Sequence, residues 1–195
     1  MFIVIDGPDG SGKTTLAKQL AGQLKQDGIP SLYTCEPTYD SQAGRKLRAM
    51  LQDGNILDLY AFADLFVEDR MEHLAAVIEP AIARGETVIC DRYKYSSLVY
   101  QQLQGIDADY LVEGNRSCRV PDVIFVLLAR NAEVLQQRIQ DRGNERDIFE
   151  EREFLTRTLE LYQKLPSYFP KERIVFLNAE LPIEENIEKI RAALA

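Results

Sequence analysis

Short runs of apolar, largely β-branched residues alternate with longer stretches of helical periodicity along this chain. The apolar runs are nearly continuous, which is typical of parallel strands that are buried on both faces. Because helical stretches separate the runs, the pattern predicts an α/β fold with a five-stranded parallel sheet between two layers of helices. The predicted strands cover residues 2–6, 31–35, 87–90, 123–128 and 174–177.

A glycine-rich turn joins the first predicted strand to the first predicted helix. It reads Gly7-Pro8-Asp9-Gly10-Ser11-Gly12-Lys13-Thr14-Thr15. In such a turn the backbone N–H groups and the helix N-terminus bind phosphates, while Lys13 reaches the β- and γ-phosphates and the Thr14 hydroxyl ligates Mg²⁺. A turn that merely connects strand and helix is the alternative, and the strand before it and the helix after it disfavour that interpretation. The sequence therefore predicts a P-loop NTPase fold that binds a nucleoside triphosphate.

Composition and charge exclude several classes of function. With 195 residues, 46% of them hydrophobic, the chain suits one domain, residues 1–195, with a full core. The net charge of −8 argues against a nucleic-acid or anionic-membrane partner, since those surfaces need basic patches. Three widely spaced cysteines indicate neither a disulfide framework nor a Cys₄ metal site, and we expect neither a secretory leader nor a membrane-spanning segment. We expect a cytoplasmic protein.

Polar residues follow the second and third predicted strands. Glu36-Pro37 comes after the second strand and Asp91-Arg92 after the third. Because the carboxyl ends of parallel strands meet at one edge of the sheet, these residues are expected near the P-loop. Asp91 is placed to hold Mg²⁺, directly or through water, and Arg92 to clamp a second phosphate. A solvated strand end or a helix N-cap is the alternative interpretation for Glu36 and Asp91.

Residues 65–73 have a helical pattern that places Phe66, Arg70 and His73 on one face. The ring of Phe66 could stack on a base while Arg70 donates to an exocyclic carbonyl oxygen. Spacing alone favours the alternative, in which Phe66 belongs to the core and Arg70 pairs with a carboxylate. The only histidine, His73, is expected to make structural hydrogen bonds.

A polar segment near residues 138–150 has the composition of a lid. Arg138, Arg142 and Arg146 recur every four residues, so a helical lid would point all three the same way. Lid arginines can neutralise charge on a phosphoryl group in transfer. A solvated basic face is the alternative.

Together these motifs resemble the thymidylate kinases, which transfer the γ-phosphoryl group of ATP to dTMP. The resemblance runs nearly from end to end of the chain. It is carried by DGPDGSGKTT at 6–15, EPT at 36–38, LFVEDRMEH at 65–73, DRYKYSSLVYQ at 91–101, RIQDRGNERDIFE at 138–150, and Tyr162.

The resemblance implies a role for each matching residue. Asp9 would accept a hydrogen bond from the 3′-hydroxyl of dTMP, Arg92 would hold its phosphate, Phe66 would stack on thymine and Arg70 would reach thymine O4. Tyr100 would exclude a 2′-hydroxyl. Other residues implied at the acceptor site are Glu36, Pro37, Ser96, Ser97 and Gln101, and Arg138 is implied at the ATP site. The resemblance also implies a homodimer, with the helix that carries Phe62 and Phe66 at the interface.

The chain departs from the family pattern at several positions. Gly10 stands where one branch of the family has an arginine, and the other branch takes its catalytic arginine from the lid; Arg142 and Arg146 are therefore expected to act with Lys13 and Arg92. Cys35 replaces a frequent arginine, which leaves more of the phosphate binding to Arg92 and to Arg45 or Arg48. Two further departures are Asp6, where glutamate is common, and Ile148, where the lid usually has an arginine, so Arg146 would have to substitute for it.

Three alternatives to a thymidylate kinase stay open. A deoxynucleoside kinase needs a carboxylate base and typically carries Glu-Arg-Ser where this chain has Asp91-Arg92-Tyr93. Another nucleoside monophosphate kinase would share the P-loop and the lid. A degenerate kinase that only binds nucleotide would show a broken loop, whereas Lys13 and Thr14 are present.

Overall fold

The computed structural model describes residues 1–54, 56–141 and 152–194. Within them, five parallel strands form one sheet in the order β2-β3-β1-β4-β5. The strands are β1 Phe2–Asp6, β2 Ser31–Cys35, β3 Thr87–Asp91, β4 Val123–Leu128 and β5 Ile174–Asn178. The parallel sheet predicted from the apolar runs is confirmed. β3 and β5 each extend one residue beyond the predicted end, so Asp91 is the last residue of β3 and not the first after it.

Helices connect the strands and cover both faces of the sheet. They are α1 Lys13–Gln26, α2 Gln42–Asp53, α3 Leu59–His73, α4 Glu79–Ala83, α5 Lys94–Leu103, α6 Ala108–Gly114, α7 Ala132–Gln140, α8 Arg152–Gln163, α9 Leu165–Tyr168 and α10 Ile183–Leu194. A π-helical turn, Leu74–Ile78, continues α3 into α4. None of the helices in the described ranges combines the length and apolar character needed to cross a bilayer.

The core is divided by the sheet into two apolar clusters. Side chains that alternate along β1 point to opposite faces: Ile3 and Ile5 belong to one cluster, Phe2 and Val4 to the other. Helices α1, α7 and α10 contribute to the first cluster, and α4, α5, α6 and α9 to the second. All five residues of β1 are buried, which explains why its sequence is continuously apolar up to Asp6.

The topology brings the connections that follow three strands to one edge of the sheet. β1 lies between β3 and β4, so the connections leaving β1, β2 and β3 meet at the carboxyl edge, where open α/β sheets bind ligands. The register pairs Asp91 with Ile5 of β1 and with Cys35 of β2. The predicted convergence of the strand ends near the P-loop is confirmed.

Candidate active site

Two glycines fix the path of the P-loop. Gly7 has a φ of +145° and Gly10 a φ of +79°, values that residues with a Cβ rarely adopt. A Cβ at Gly7 would lie 2.6 Å from the carbonyl oxygen of Leu127, and one at Gly10 would lie 2.7 Å from that of Leu135. The loop therefore packs directly against the backbone of β4 and α7. Position 10 has no room for an arginine in this arrangement.

The N-terminus of α1 is arranged to receive an anion. Its N-cap, Gly12, provides no side chain, no described side chain caps the helix, and the first turn holds no acidic residue. Free N–H groups and the positive end of the helix dipole thus face the concave side of the loop. The buried ammonium of Lys13 lies 3.2 Å from the carbonyl oxygen of Pro8 and 3.1 Å from Oδ1 of Asp9. Burial and the nearby Arg92 lower the pKa of Lys13, while Asp9 opposes that shift.

Thr14 and Asp91 form a site that suits a divalent cation. The Thr14 hydroxyl donates to Oδ2 of Asp91 at 2.5 Å, which joins the first turn of α1 to the end of β3. Oδ1 of Asp91 is buried and has no hydrogen-bond partner among the described residues. A buried carboxylate oxygen without a donor is costly unless a cation or water satisfies it. A hydroxyl and a carboxylate are oxygen ligands of the kind Mg²⁺ takes, so these residues fit the ion.

Arg92 occupies a strained position between the P-loop and α5. Its φ of +68° is the only positive φ of a non-glycine residue in the described chain. Such a conformation costs free energy, and it persists only where surrounding contacts hold it. The guanidinium forms an ion pair with Asp9, donates to Ser96 Oγ at 3.1 Å and lies 5.1 Å from the centre of the Tyr100 ring. These contacts aim Arg92 into the space beside the loop.

Asp9 connects the two cationic residues. Its Oδ1 contacts both Lys13 and Arg92, and its Oδ2 accepts from the Tyr100 hydroxyl at 3.2 Å. Burial alone would raise the pKa of Asp9, but Arg92 and Lys13 outweigh it and hold the pKa below its usual range. The carboxylate is therefore ionised at neutral pH, between a P-loop lysine and a second phosphate-binding arginine.

A cleft of about 170 Å³ opens beside this pair. It contains every residue that the sequence predicted at the acceptor site: Asp9, Glu36, Pro37, Phe66, Arg70, Arg92, Ser96, Ser97, Tyr100 and Gln101. Leu51, Phe62, Tyr93 and Gln104 complete its wall. The residues come from the P-loop, the β2–α2 connection, α2, α3, the β3–α5 connection and α5 with the residue that follows it, so the fold gathers them from distant parts of the sequence.

Arg70 is buried at the base of the cleft, with three of its nitrogens engaged. Nε donates to Glu36 Oε2 at 2.8 Å, Nη1 to Asn115 Oδ1 at 2.5 Å and Nη2 to Ser97 Oγ at 3.0 Å. Burial alone would lower the pKa of Arg70, but Glu36 outweighs it and raises the pKa. The two sequence interpretations of Arg70 are therefore compatible, because it pairs with a carboxylate and also lines the cleft. Phe66 likewise lines the cleft while its ring packs edge-on against Phe62, 5.1 Å away.

His73 makes the structural hydrogen bonds expected of it. Its Nδ1 lies 3.2 Å from Glu36 Oε1 and its Nε2 lies 2.6 Å from Thr34 Oγ1. Glu36, His73 and Cys90 are close enough together to suggest a metal site. Both carboxylate oxygens and both imidazole nitrogens are already engaged, however, and burial raises the pKa of Cys90 and keeps its thiol protonated. The cluster is a hydrogen-bonded support for Glu36 and Arg70.

Sequence reasoning assigned no contacts to three buried polar residues around the site. Asp6 accepts hydrogen bonds from Gly7 N, Tyr93 N, Ser96 N, Ser96 Oγ and the Tyr162 hydroxyl, and so joins the P-loop to the start of α5. Asp69 accepts from Thr38 N, Thr38 Oγ1 and Ser41 Oγ. Asn115 contacts Arg70. The polar residue before the P-loop was a usable signal for Asp6, but nothing in the local sequence identifies the other two.

A second cleft lies on the other side of the P-loop. It is lined by Ser11, Gly12, Thr15 and Arg138 together with the connection from β5 to α10. Arg138 donates to the carbonyl oxygen of Ala179 at 2.8 Å. The predicted nucleotide-binding residue Arg138 thus lies beside the loop. Arg142, Arg146 and Ile148 lie outside the described residues, and their roles stay predictions.

Arg45 and Arg48, which were expected to help bind phosphate in place of the family arginine at position 35, instead hold the backbone of the β2–α2 connection. Arg48 donates to the carbonyl oxygens of Pro37 and Thr38, the latter at 3.1 Å, and stacks on the Tyr39 ring. Arg45 donates to the carbonyl oxygen of Asp40. Arg92 is therefore the arginine that the structure places directly between the P-loop and the cleft.

Comparisons with known proteins identify the family of the chain. The family model described as thymidylate kinase matches residues 5–190. A "Probable thymidylate kinase" from Pyrococcus horikoshii is 40% identical over 189 residues, which cover 94% of this chain and 90% of that protein. A protein of the same description from Methanococcus aeolicus is 38% identical, covering 96% of this chain and 92% of its own length. The resemblance first indicated by the motifs is confirmed, and the chain belongs to the thymidylate kinase family.

Proposed function

We propose that the protein transfers the γ-phosphoryl group of ATP to the phosphate of dTMP, which yields ADP and dTDP. The observation that supports this most directly is the position of Asp9 and Arg92, which join the P-loop to a cleft lined by all of the predicted acceptor residues. A phosphate held by Arg92 in that cleft lies next to the phosphates of a nucleotide on the loop. This adjacency is what direct transfer between two phosphates requires.

The donor nucleotide is assigned to the P-loop side. Backbone N–H groups of residues 7–15 and the N-terminus of α1 would surround the phosphates, with Lys13 at the β- and γ-phosphates. Thr14 and Asp91 would hold Mg²⁺, which supplies charge neutralisation for the phosphoryl oxygens when bound. The second cleft, with Arg138 on its wall, lies where the rest of the ATP molecule would extend.

The acceptor is assigned to the cleft of Arg70 and Arg92. Phe66 offers a ring face for thymine, and Arg70 has two N–H groups beyond its three recorded contacts for a carbonyl oxygen of the base. Tyr100 and Asp9 would face the sugar. Ser96, Ser97, Gln101, Glu36 and Pro37 would complete the wall. Gln101 Oε1 is buried and has no hydrogen-bond partner among the described residues, so an N–H group of the base could satisfy it.

The reaction depends on positioning of the two phosphates and on positive charge around them more than on proton transfer. A phosphate oxygen of dTMP attacks the γ-phosphorus, the bond from that phosphorus to the β–γ bridging oxygen breaks, and the leaving oxygen remains on ADP. The attacking monoester is already anionic at neutral pH, so no general base is required. Lys13 and Arg92 stabilise the charge of the phosphoryl group in transfer, and we assign Arg142 and Arg146 of the lid, residues 138–150, to the same task.

An assay of ADP release tests the proposal. Wild-type protein with ATP and Mg²⁺ is offered dTMP, dUMP, dCMP, AMP, thymidine or no acceptor. We expect dTMP to give by far the highest kcat/KM. Release with thymidine would instead indicate a deoxynucleoside kinase, release with another monophosphate would indicate a different monophosphate kinase, and nucleotide binding without release would indicate a binding module. Each of these three outcomes would overturn the proposal.

We further propose that the whole chain, residues 1–195, forms one kinase domain, that it acts in the cytoplasm and that two copies associate through α3. The three cysteines form no disulfide in the structure, which agrees with a reducing compartment.

Phe62 of α3 is fully buried within its own chain, so it cannot itself reach a second copy. Ala61, Leu65 and Ala75 are exposed or half-buried on one face of α3 and its π-helical extension, and the exposed Glu68 and Glu72 lie on the same face. Ala61, Leu65 and Ala75 are the apolar positions that a partner would cover.

A further inference from the structure

We infer that Asn115 is a positioning residue that sets the selectivity of the acceptor site for a 4-oxo pyrimidine by fixing the guanidinium of Arg70. This inference rests on the proposed function, since it concerns the base of the acceptor nucleotide. Asn115 lies outside every motif described above. It does not line the acceptor cleft, so it would act only through Arg70.

The side-chain amide of Asn115 is held in one orientation. The residue follows the last turn of α6 and is 3% exposed. Its Nδ2 donates to the carbonyl oxygen of Leu111 at 2.8 Å, and Oδ1 accepts from Arg70 Nη1 at 2.5 Å. A carbonyl oxygen can only accept and a guanidinium can only donate, so exchanging the amide nitrogen and oxygen would break both hydrogen bonds. The oxygen of Asn115 must therefore face Arg70.

Three contacts on three nitrogens determine the plane of the Arg70 guanidinium. Glu36 holds Nε and Ser97 holds Nη2, and both of these residues also line the cleft. Asn115 holds Nη1 from behind the cleft. A guanidinium carries five N–H groups in a planar fork, so these contacts leave one N–H on each terminal nitrogen. The direction of those two N–H groups depends on the anchor at Nη1.

A fixed pair of donors distinguishes two kinds of pyrimidine. A carbonyl oxygen at the 4-position of the base accepts from Arg70, whereas an amino group there presents N–H toward N–H and leaves the buried donors unsatisfied. Sites built from buried, fixed hydrogen-bonding groups discriminate strongly against a ligand that cannot pair with them. If the guanidinium could turn away, the 4-amino base would be tolerated and the 4-oxo base would lose part of its advantage.

The test compares two substitutions of Asn115 that both remove its hydrogen-bond donor but differ in whether they keep its acceptor. Asn115→Leu and Asn115→Asp both remove the N–H donor to Leu111, but only Asn115→Asp keeps an oxygen acceptor toward Arg70. The steady-state kcat and KM are measured for dTMP, dCMP and ATP, together with the melting temperature. Arg116→Gln is the control, because the neighbouring Arg116 is exposed and its ion pair within the described part of the chain is with Glu113 on the surface.

For Asn115→Leu we expect the KM for dTMP to rise about tenfold and the ratio of kcat/KM for dTMP over dCMP to fall at least about tenfold, the scale of one hydrogen bond to a charged group. The kcat with dTMP and the KM for ATP should change by less than about threefold, since uniform binding is what is lost. Asn115→Asp should keep most of the selectivity. Unchanged selectivity in Asn115→Leu, or equal loss in both variants, would overturn the inference.

A replacement variant and the wild-type measurement keep the outcome decisive. If Asn115→Leu does not fold, Asn115→Ala carries the same test with a smaller side chain. Wild-type protein that fails to phosphorylate dTMP would refute the proposed function itself. Wild-type protein that prefers dTMP while the variants at position 115 retain that preference would refute only the role of Asn115.

Discussion

At the scale of single residues, the site depends on two cations that share one carboxylate. Asp9 pairs with Lys13 and Arg92 at the same oxygen, so their positive charges stay close together beside the cleft. Arg92 is held in a left-handed backbone conformation that a residue with a side chain adopts only at some cost. Strain and charge concentrated at one point indicate a site selected for function more than for stability.

Removing either cation should abolish transfer without unfolding the protein. For Lys13→Ala and Arg92→Ala we expect kcat/KM to fall at least about a hundredfold, because each variant loses a charge-assisted contact to a phosphate. The fold should stay intact, since neither substitution removes volume from the apolar clusters, but the melting temperature should fall because each variant loses one ion pair of Asp9. Lys18→Ala, an exposed lysine on the same helix as Lys13, is the control and should keep normal turnover. Near-normal turnover in either variant would remove that residue from the mechanism.

The ion pairs of Asp9 also predict how stability depends on pH. The pKa of Asp9 is lower in the folded chain than the ordinary value near 3.9 of an unfolded aspartate. Its stabilisation is therefore fully present above about pH 4 and is lost as the pH falls toward the folded pKa. Denaturant titrations should show that wild type and Asp9→Asn differ by a constant unfolding free energy between about pH 5 and 8, and that the difference shrinks below about pH 4. A difference that grows in acid would contradict the assignment.

At the scale of secondary structure elements, one buried carboxylate attaches the β2–α2 connection to α3. Asp69 is 1% exposed and accepts from Thr38 N at 2.9 Å and from the hydroxyls of Thr38 and Ser41, each at 2.5 Å. Ser41 in turn caps α2 by accepting from Gly44 N. A Cβ at Gly44 would lie 2.5 Å from the carbonyl oxygen of Thr38, so the helix and the connection are in direct contact. This attachment sets the position of Glu36 and Pro37 on the cleft wall.

Breaking that attachment should weaken acceptor binding selectively. For Asp69→Ala we expect the KM for dTMP to rise about tenfold or more while the KM for ATP stays within about twofold. The buried N–H and hydroxyl donors that lose their hydrogen-bond partner all lie on the dTMP side of the site. Asp64→Ala on the same helix is the matched control, since Asp64 is exposed and, among the described residues, accepts a side-chain hydrogen bond only from the Tyr110 hydroxyl. Equal increases in both KM values would instead indicate a general loss of stability.

The sequence predicted the strands and the P-loop, but it did not predict the hydrogen bonds between side chains that are far apart in the chain. The reason is physical. Strands such as β1 and β4 are buried on both faces and so consist of consecutive apolar residues, which is a local pattern. The P-loop is also local, because glycines are required at its left-handed positions. The contact of Asp69 with Thr38 spans 31 residues and that of Asn115 with Arg70 spans 45. No periodicity or spacing encodes such pairs; they arise only when the sheet brings its connections together.

At the scale of the whole molecule, the face of α3 that carries Leu65 predicts association. We expect wild-type protein at micromolar concentration to sediment at twice the chain mass of 22.2 kDa. Leu65→Glu should shift it toward the monomer, because the contact would lose an apolar side chain and gain a further negative charge beside Glu68 and Glu72. Val120→Glu, which alters another exposed apolar residue, should leave the dimer intact. A wild-type monomer at that concentration would refute the proposal.

Lys13 and Arg92 supply positive charge at the transferred phosphoryl group, and the lid is expected to add to it. Position 10 of the P-loop has no room for an arginine, since a Cβ there would already lie 2.7 Å from the Leu135 carbonyl oxygen. A further cation for the phosphoryl group must therefore come from another segment, and the lid offers Arg142 and Arg146. We expect Arg146→Ala to lower kcat much more than it raises the KM for ATP, because an arginine that meets charge developing only during transfer stabilises the transition state and not the bound substrate. Arg142→Ala is made in parallel, since a merely solvated lid would tolerate either change. If both variants keep the wild-type kcat, neither Arg142 nor Arg146 is the catalytic arginine, and the role proposed for them is wrong.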